Sequence, residues 1–98
     1  MKTIEFNKYG PIISDKIVGE EIYRLINELL KTESKISIDM SGIVSMATFC
    51  AKQIFGRLYI SLSAENFFDR IEFTNASEDV KLIIKIGIQN AIEGIQNK

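Results

Sequence analysis

Three hydroxyls, Ser41, Ser45 and Thr48, lie between an alternating segment that ends at Asp39-Met40 and a helical pattern that opens near Thr48. A turn running from the carboxyl end of a strand to a helix start is where α/β proteins tend to place their sites. A hydroxyl there can cap free backbone N–H groups, or it can accept a phosphate that those same groups would stabilise. Capping is the plainer use, because Ser and Thr are common at helix starts. Ser45 and Thr48 are thus both candidate caps and candidate phosphoacceptors. Two carboxylate pairs, Glu20-Glu21 and Glu78-Asp79, have the residue types for acid–base work. Both fall in the expected first turn of a helix, where the macrodipole accounts for acidic residues without any catalytic role. Cys50 has no histidine to activate it and reads as a small hydrophobe. Asn75, at the end of an alternating segment, is expected to satisfy backbone groups in its turn.

The chain has 98 residues, no histidine and one cysteine. That composition excludes Cys–His, Ser–His–Asp and zinc chemistry, and leaves only carboxylates and amides as metal ligands. The six glycines are scattered and form no phosphate-cradling loop. No cofactor and no metal are expected. Hydrophobic residues make up 46% and charged residues 26% of the chain, which is the balance of one folded domain spanning 1–98. Net charge is −1 with no basic run, so nucleic acid is not an expected partner. Apolar runs are far short of the roughly 20 residues that cross a bilayer. Glu5 and Lys8 interrupt the first apolar segment, and Cys50 is alone, so a cytoplasmic location is expected.

Period-two alternation marks strands over residues 2–6, 35–40 and 70–74, and Ile12-Ile13 suggest a short extra strand. Strict alternation implies one buried face and one wetter face, hence an α/β sheet with helices on one side and the second strand central. A helix over about 18–31 places Ile22, Leu25, Ile26 and Leu29 on one stripe, with Glu20, Arg24 and Glu28 outward at pairing distance. A second helix, about 48–64, buries Ala51, Ile54, Phe55, Leu58 and Leu62. The third opens at the cap Ser77 and buries Val80, Ile83, Ile84, Gly87, Ala91 and Ile95. Apolar or small residues remain on the outer stripes: Phe49, Gly56 and Ile60 on the second helix, Leu82 and Ile86 on the third. Gly56, Ile60, Leu82 and Ile86 therefore form a candidate oligomer surface, with Gly56 permitting close approach of another helix from this chain or a partner.

The stretch Ile36-Ser37-Ile38-Asp39-Met40-Ser41-Gly42-Ile43, followed by Met46-Ala47-Thr48-Phe49, resembles the central strand, loop and helix start of STAS domains, the family of anti-sigma factor antagonists and sulfate-transporter tails. The residues from Ala51 to Leu58 and Phe73-Thr74-Asn75-Ala76-Ser77-Glu78-Asp79-Val80 are similar to the STAS-like family of unknown function. This resemblance runs from about Gly19 to Ile86. It implies a small mixed sheet and a regulatory role in which the chain binds a kinase-type anti-sigma factor or a related ATP-binding regulator. The contact it implies is Ser41, Gly42, Ser45, Met46, Thr48, Phe49 and Lys52. Thr48 falls on the position of the phosphorylated Ser or Thr of antagonists, where a classical member carries a preceding Asp and a following Ser-Gly pair; this chain has Ala47 and Phe49-Cys50. The alternative is a homo-oligomer or assembly subunit with no switch.

Overall fold

The computed structural model describes residues 1–96. Strands β1 (Lys2–Glu5), β3 (Ile36–Asp39) and β5 (Ile71–Thr74) form a three-stranded sheet in the order β1-β3-β5, and β2 (Ile12–Ile13) pairs with β4 (Ser45–Met46) in a second, two-stranded sheet. All pairings among the described residues are parallel. Between the strands lie α1 (Lys16–Leu29), α2 (Thr48–Ala51), a π-helical segment (Lys52–Gly56), α3 (Arg57–Leu62), α4 (Ala64–Arg70) and, last, α5 (Glu78–Gln96). This is the small α/β STAS-like fold expected, with the second of the three long strands in the centre.

Register explains why the alternation is so regular. Ile4 aligns with Ile38 and Phe73, and Ile36 with Ile71, so one face is hydrocarbon apart from the exposed Lys2 at its corner. The other face carries Thr3, Ser37 and Glu72, of which only Ser37 is buried. Ile22 and Ile26 of α1, and Ile54, Phe55 and Leu58 of the second helical stretch, complete the core with Val80 and Ile84 of α5. Phe55 is its hub, stacked on Phe6 at 5.9 Å and set edge-on to Phe73 at 5.1 Å.

The ends of the helices depart from expectation in informative ways. Asp15 caps α1 by accepting from the N–H groups of Ile17 and Val18, so the helix starts at Lys16 and Glu20-Glu21 lie in its second turn rather than its first. Ser77 caps α5 as expected, its Oγ accepting from Val80 N at 3.2 Å. The α4 helix was not anticipated; it follows Ser63, whose φ of 77° breaks the preceding helix. Its terminal Arg70 donates to the carbonyls of Leu30, Glu33 and Ser34, tying the end of α4 to the end of α1. Ile95, expected on the buried stripe of α5, is exposed and lines an open depression with Lys52, Arg57 and Ile60.

The largest correction concerns Gly56. From Thr48 to Leu62 the helix is continuous, but Arg57 N donates to Lys52 O, a five-residue step that makes one turn a π-turn. The extra residue turns everything beyond it by about 100° relative to an unbroken α-helix. Gly56 thereby leaves the stripe of Phe49 and faces α5, so it is buried and belongs to no open oligomer surface. A Cβ on Gly56 would stand 2.7 Å from Ala91 Cβ and 3.0 Å from Gly87 O. Gly87 is tighter still, since a Cβ there would meet Ala51 C, Ala51 Cβ and Lys52 N, each at 2.7 Å.

Gly87→Ala should therefore destabilise the fold by about 1–3 kcal/mol, because backbone atoms cannot yield, even though alanine is worth up to about 1 kcal/mol more than glycine in a helix. Gly94→Ala, in the same helix with open space at its Cβ, should be neutral or stabilising. Urea melts of the two variants check the contrast, and equal midpoints would mean that α5 does not rest on the π-turn.

Candidate functional site

The loop from Ser41 to Ala47 is held from both sides. Gly42 has φ of 79° and takes the third position of the turn that Ile43 N closes onto Met40 O at 3.0 Å. Val44 N then donates to Pro11 O at 2.7 Å and Ala47 N to Ile13 O at 2.8 Å, either side of the β2–β4 pairing. The loop is thus laid along the segment that precedes α1. Inside it, the Cys50 thiol lies 3.6 Å from Asp15 O, which it can serve as a weak donor. Burial, with a smaller contribution from the Asp15 charge, pushes the thiol pKa above its ordinary value, so Cys50 is a packed, protonated side chain rather than a nucleophile.

Asp39 anchors the same loop at its base. Its Oδ1 accepts from Asn75 Nδ2 at 3.0 Å and from Ser41 N at 2.9 Å, and Met40 N donates to Thr74 O at 2.9 Å. These bonds join the turn after β3 to the turn after β5. Asn75 therefore does more than settle its own turn: its positive φ of 57°, which asparagine tolerates, aims the amide at Asp39. The bond from Asn75, followed by those from Ser41, holds the Asp39 carboxyl below its ordinary pKa of 3.8.

The expected contact residues divide on this scaffold. Gly42, Thr48, Phe49 and Lys52 are exposed and Ser41 and Ser45 half-buried. Met46 is in the core at 2% exposure and cannot touch a partner, because its register opposite Ile13 turns it inward. Neither Ser45 nor Thr48 is a cap: Ser45 lies in β4, Ala47 occupies the capping position, and the helix start receives no side-chain hydrogen bond. Thr48 is the first helical residue, with its side chain open to solvent. Three exposed apolar side chains that sequence reasoning left out lie in or near this loop and the segments it is laid along. Ile12 is exposed in β2, paired in register with Ser45, Val44 is exposed just before β4, and Ile17 shares a shallow depression with Phe49, Ser14, Asp15 and Lys16. Their signal was an apolar residue with no place on any buried stripe. Ile60, Leu82 and Ile86 are exposed but stand elsewhere, on α3 and α5.

A separate polar cluster spans α1 and the π-turn. Glu20 accepts from Arg57 at 2.7 Å and from Gln53 at 3.3 Å, and lies 3.5 Å from Arg24. The Arg57 bond, then that of Gln53, lowers the Glu20 pKa. Arg57 also lies 3.6 Å over the Tyr23 ring, and Gln53 fills the space beside Gly19. Each charge is answered within the cluster, which fastens α1 to the second helix. Among the described residues no three His, Cys, Asp or Glu side chains gather as a metal site, and no helix is long and apolar enough to cross a membrane.

A family model described as STAS-like domain of unknown function (DUF4325) matches residues 18–81. The match runs from α1 into the first turn of α5 and takes in the whole loop from Ser41 to Lys52. The chain belongs to this family of STAS-like domains. No curated protein and no solved structure matched it.

The Asp39 anchor has a pH signature. Its pKa is depressed on folding, so the stabilisation is fully present above the ordinary value of 3.8 and is lost as pH falls through the lowered value. Asp39→Asn, which does not titrate, should lower the melting temperature at neutral pH and narrow its gap to wild type below pH 3.8, as followed by circular dichroism. A gap independent of pH would mean that the carboxylate charge is not what holds the loop.

Proposed function

We propose that this chain is a regulatory protein-interaction domain that docks its partner through the loop and helix start from Ser41 to Lys52, in the manner of an anti-sigma factor antagonist. The observation that carries the reading is the set of exposed apolar side chains in and beside this segment. Phe49 is 51%, Ile12 58% and Val44 67% exposed, with Ile17 alongside Phe49. Scattered exposed apolar residues are ordinary, but Ile17 and Phe49, from two stretches of sequence, share one depression, and the exposed Val44 lies on the loop that leads into Phe49, which supports a docking surface. The resemblance to antagonists makes the partner a kinase-type anti-sigma factor or a related ATP-binding regulator. A phosphate on Thr48 would add a charge of about −1.5 to −2 in the middle of that apolar surface and oppose docking.

Three baits test the switch: wild type, Thr48→Ala and Thr48→Glu, each used to recover the native partner, with mass spectrometry of the endogenous protein for phosphothreonine. Thr48→Ala should keep the partner and change stability by no more than about 0.5 kcal/mol, since no cap bond is lost. Thr48→Glu should lose it, and Phe49→Ala should weaken it about tenfold or more. Equal recovery by the Ala and Glu baits without phosphate at Thr48 would remove the switch; full recovery by Phe49→Ala would remove the surface.

A constitutive homo-oligomer rests on a different observation, the exposed Leu82 and Ile86 one turn apart on α5. In that reading Ile86→Lys converts an oligomer to a folded monomer in sedimentation velocity. A wild-type protein already monomeric at high concentration would end it.

A further inference from the structure

On the flank of α5 next to the π-turn contact, α4, β5 and α5 line a groove of about 340 Å³. Its walls are Phe67, Phe68, Ile71, Phe73, Ile84 and Ile88, and both of its ionisable lining residues are lysines, Lys81 and Lys85. Phe67 is fully buried, whereas Phe68, edge-on to it at 5.2 Å, is 65% exposed. The two lysines are four residues apart, so they rise from the same side of α5 one turn apart. Lys81 lies 3.4 Å from Glu78, but both side chains are largely exposed and such a pair yields readily. Among the described residues Lys85 has no ion-pair partner. An aromatic trough with only cations among its ionisable lining residues is complementary to a ligand that is apolar along its length and anionic at one end.

Size narrows the occupant. The groove is near the lower end of the roughly 300–1,000 Å³ range of small-molecule sites. An α-helix of about 10 Å diameter fills more than this volume in a single turn, whereas one hydrocarbon chain is narrow enough to lie along the trough. We propose that this groove binds a single-chain anionic amphiphile, a medium-chain fatty acid, with the chain along Phe67, Phe68, Phe73 and Ile88 and the carboxylate at Lys81 and Lys85. Charge-assisted hydrogen bonds from the two ammonium groups fix the orientation, and hydrocarbon burial supplies the affinity. The groove stands apart from the loop around Thr48, and the inference is independent of how that loop is used.

The experiment is a titration of the intact chain with decanoate below its micelle concentration, followed by amide and methyl NMR, with decanol and octanoate in parallel. Saturable one-to-one binding is expected, with the largest shifts at Ile71, Phe73, Ile84, Lys85 and Ile88. Octanoate, two methylenes shorter, should bind about tenfold more weakly. Decanol should also lose about tenfold, as should decanoate with the Lys81→Glu, Lys85→Glu double variant, whose exposed substitutions leave the fold intact by circular dichroism. Equal affinity for decanol and decanoate, no effect of the double variant, shifts centred on Ile12, Val44 and Phe49, or no saturation would each overturn the assignment. Binding of an acidic amphipathic peptide in the groove with no binding of decanoate would overturn it as well, in favour of a protein ligand.

Discussion

Everything in this fold turns on how closely α5 lies against the π-turn of the second helix. With glycine at 87 and 56 and alanine at 51 and 91, the two backbones approach until a single added methyl would touch peptide atoms. Such proximity lets α5 cover Ile54 and Phe55, which in turn seal the apolar face of the sheet. A π-turn costs helix hydrogen-bond geometry, and close packing along α5 offsets that cost. Without the extra residue, Gly56 would face solvent and a bulkier stripe would face α5.

The same turn divides the molecule's surfaces. Thr48 and Phe49 precede it and keep the phase of the loop they follow; Arg57 and Tyr59 come after it and are directed to α1 and α4. Arg57 can therefore reach Glu20 and Tyr23, while Tyr59 packs on Phe67 and Phe68. The loop from Ser41 to Ala47 is fixed by backbone bonds to Pro11 and Ile13 and by the Asp39 carboxylate, so its apolar side chains are presented on a framework with little freedom to fold inward. A surface that cannot collapse must be covered by something else or remain wet.

How much of this was legible in the sequence depended on range. One-sided burial writes a period of two directly into residues 2–6, 35–40 and 70–74, and all three became strands. Ser77 as a cap and the stripes of α1 and α5 were local signals of the same kind. Gly56 was misplaced because the π-turn has no signature of its own: Lys52 to Gly56 looks α-helical residue by residue, and only the packing of α5 selects the wider turn. The α4 helix has seven residues, too few for a periodicity to emerge, with Phe67 and Phe68 adjacent rather than spaced. Asp39 and Asn75 are 36 residues apart, and nothing local to either announces their bond. The loop from Ser41 to Ala47 was readable as a strand-to-helix turn, but Ile12 comes beside it only through the β2–β4 pairing, and Ile17 meets Phe49 only in the tertiary fold.

Parallel pairing throughout also shapes how the chain comes together. Each strand meets a partner more than thirty residues away, as Lys2 meets Ile36, Ile36 meets Ile71 and Ile12 meets Ser45. Among the described residues no hairpin is available to start the process, so each of these ladders must wait for a long loop to close, and loop-closure entropy places such topologies among the slower folders of their size. The helices, whose contacts are local, form the early scaffold. On the ribosome β3 can dock on β1 once α1 has emerged, yet its other edge stays open until residues 71–74 arrive. For that interval the nascent chain exposes an unpaired strand edge flanked by Ile36 and Ile38, a template for association with its neighbours.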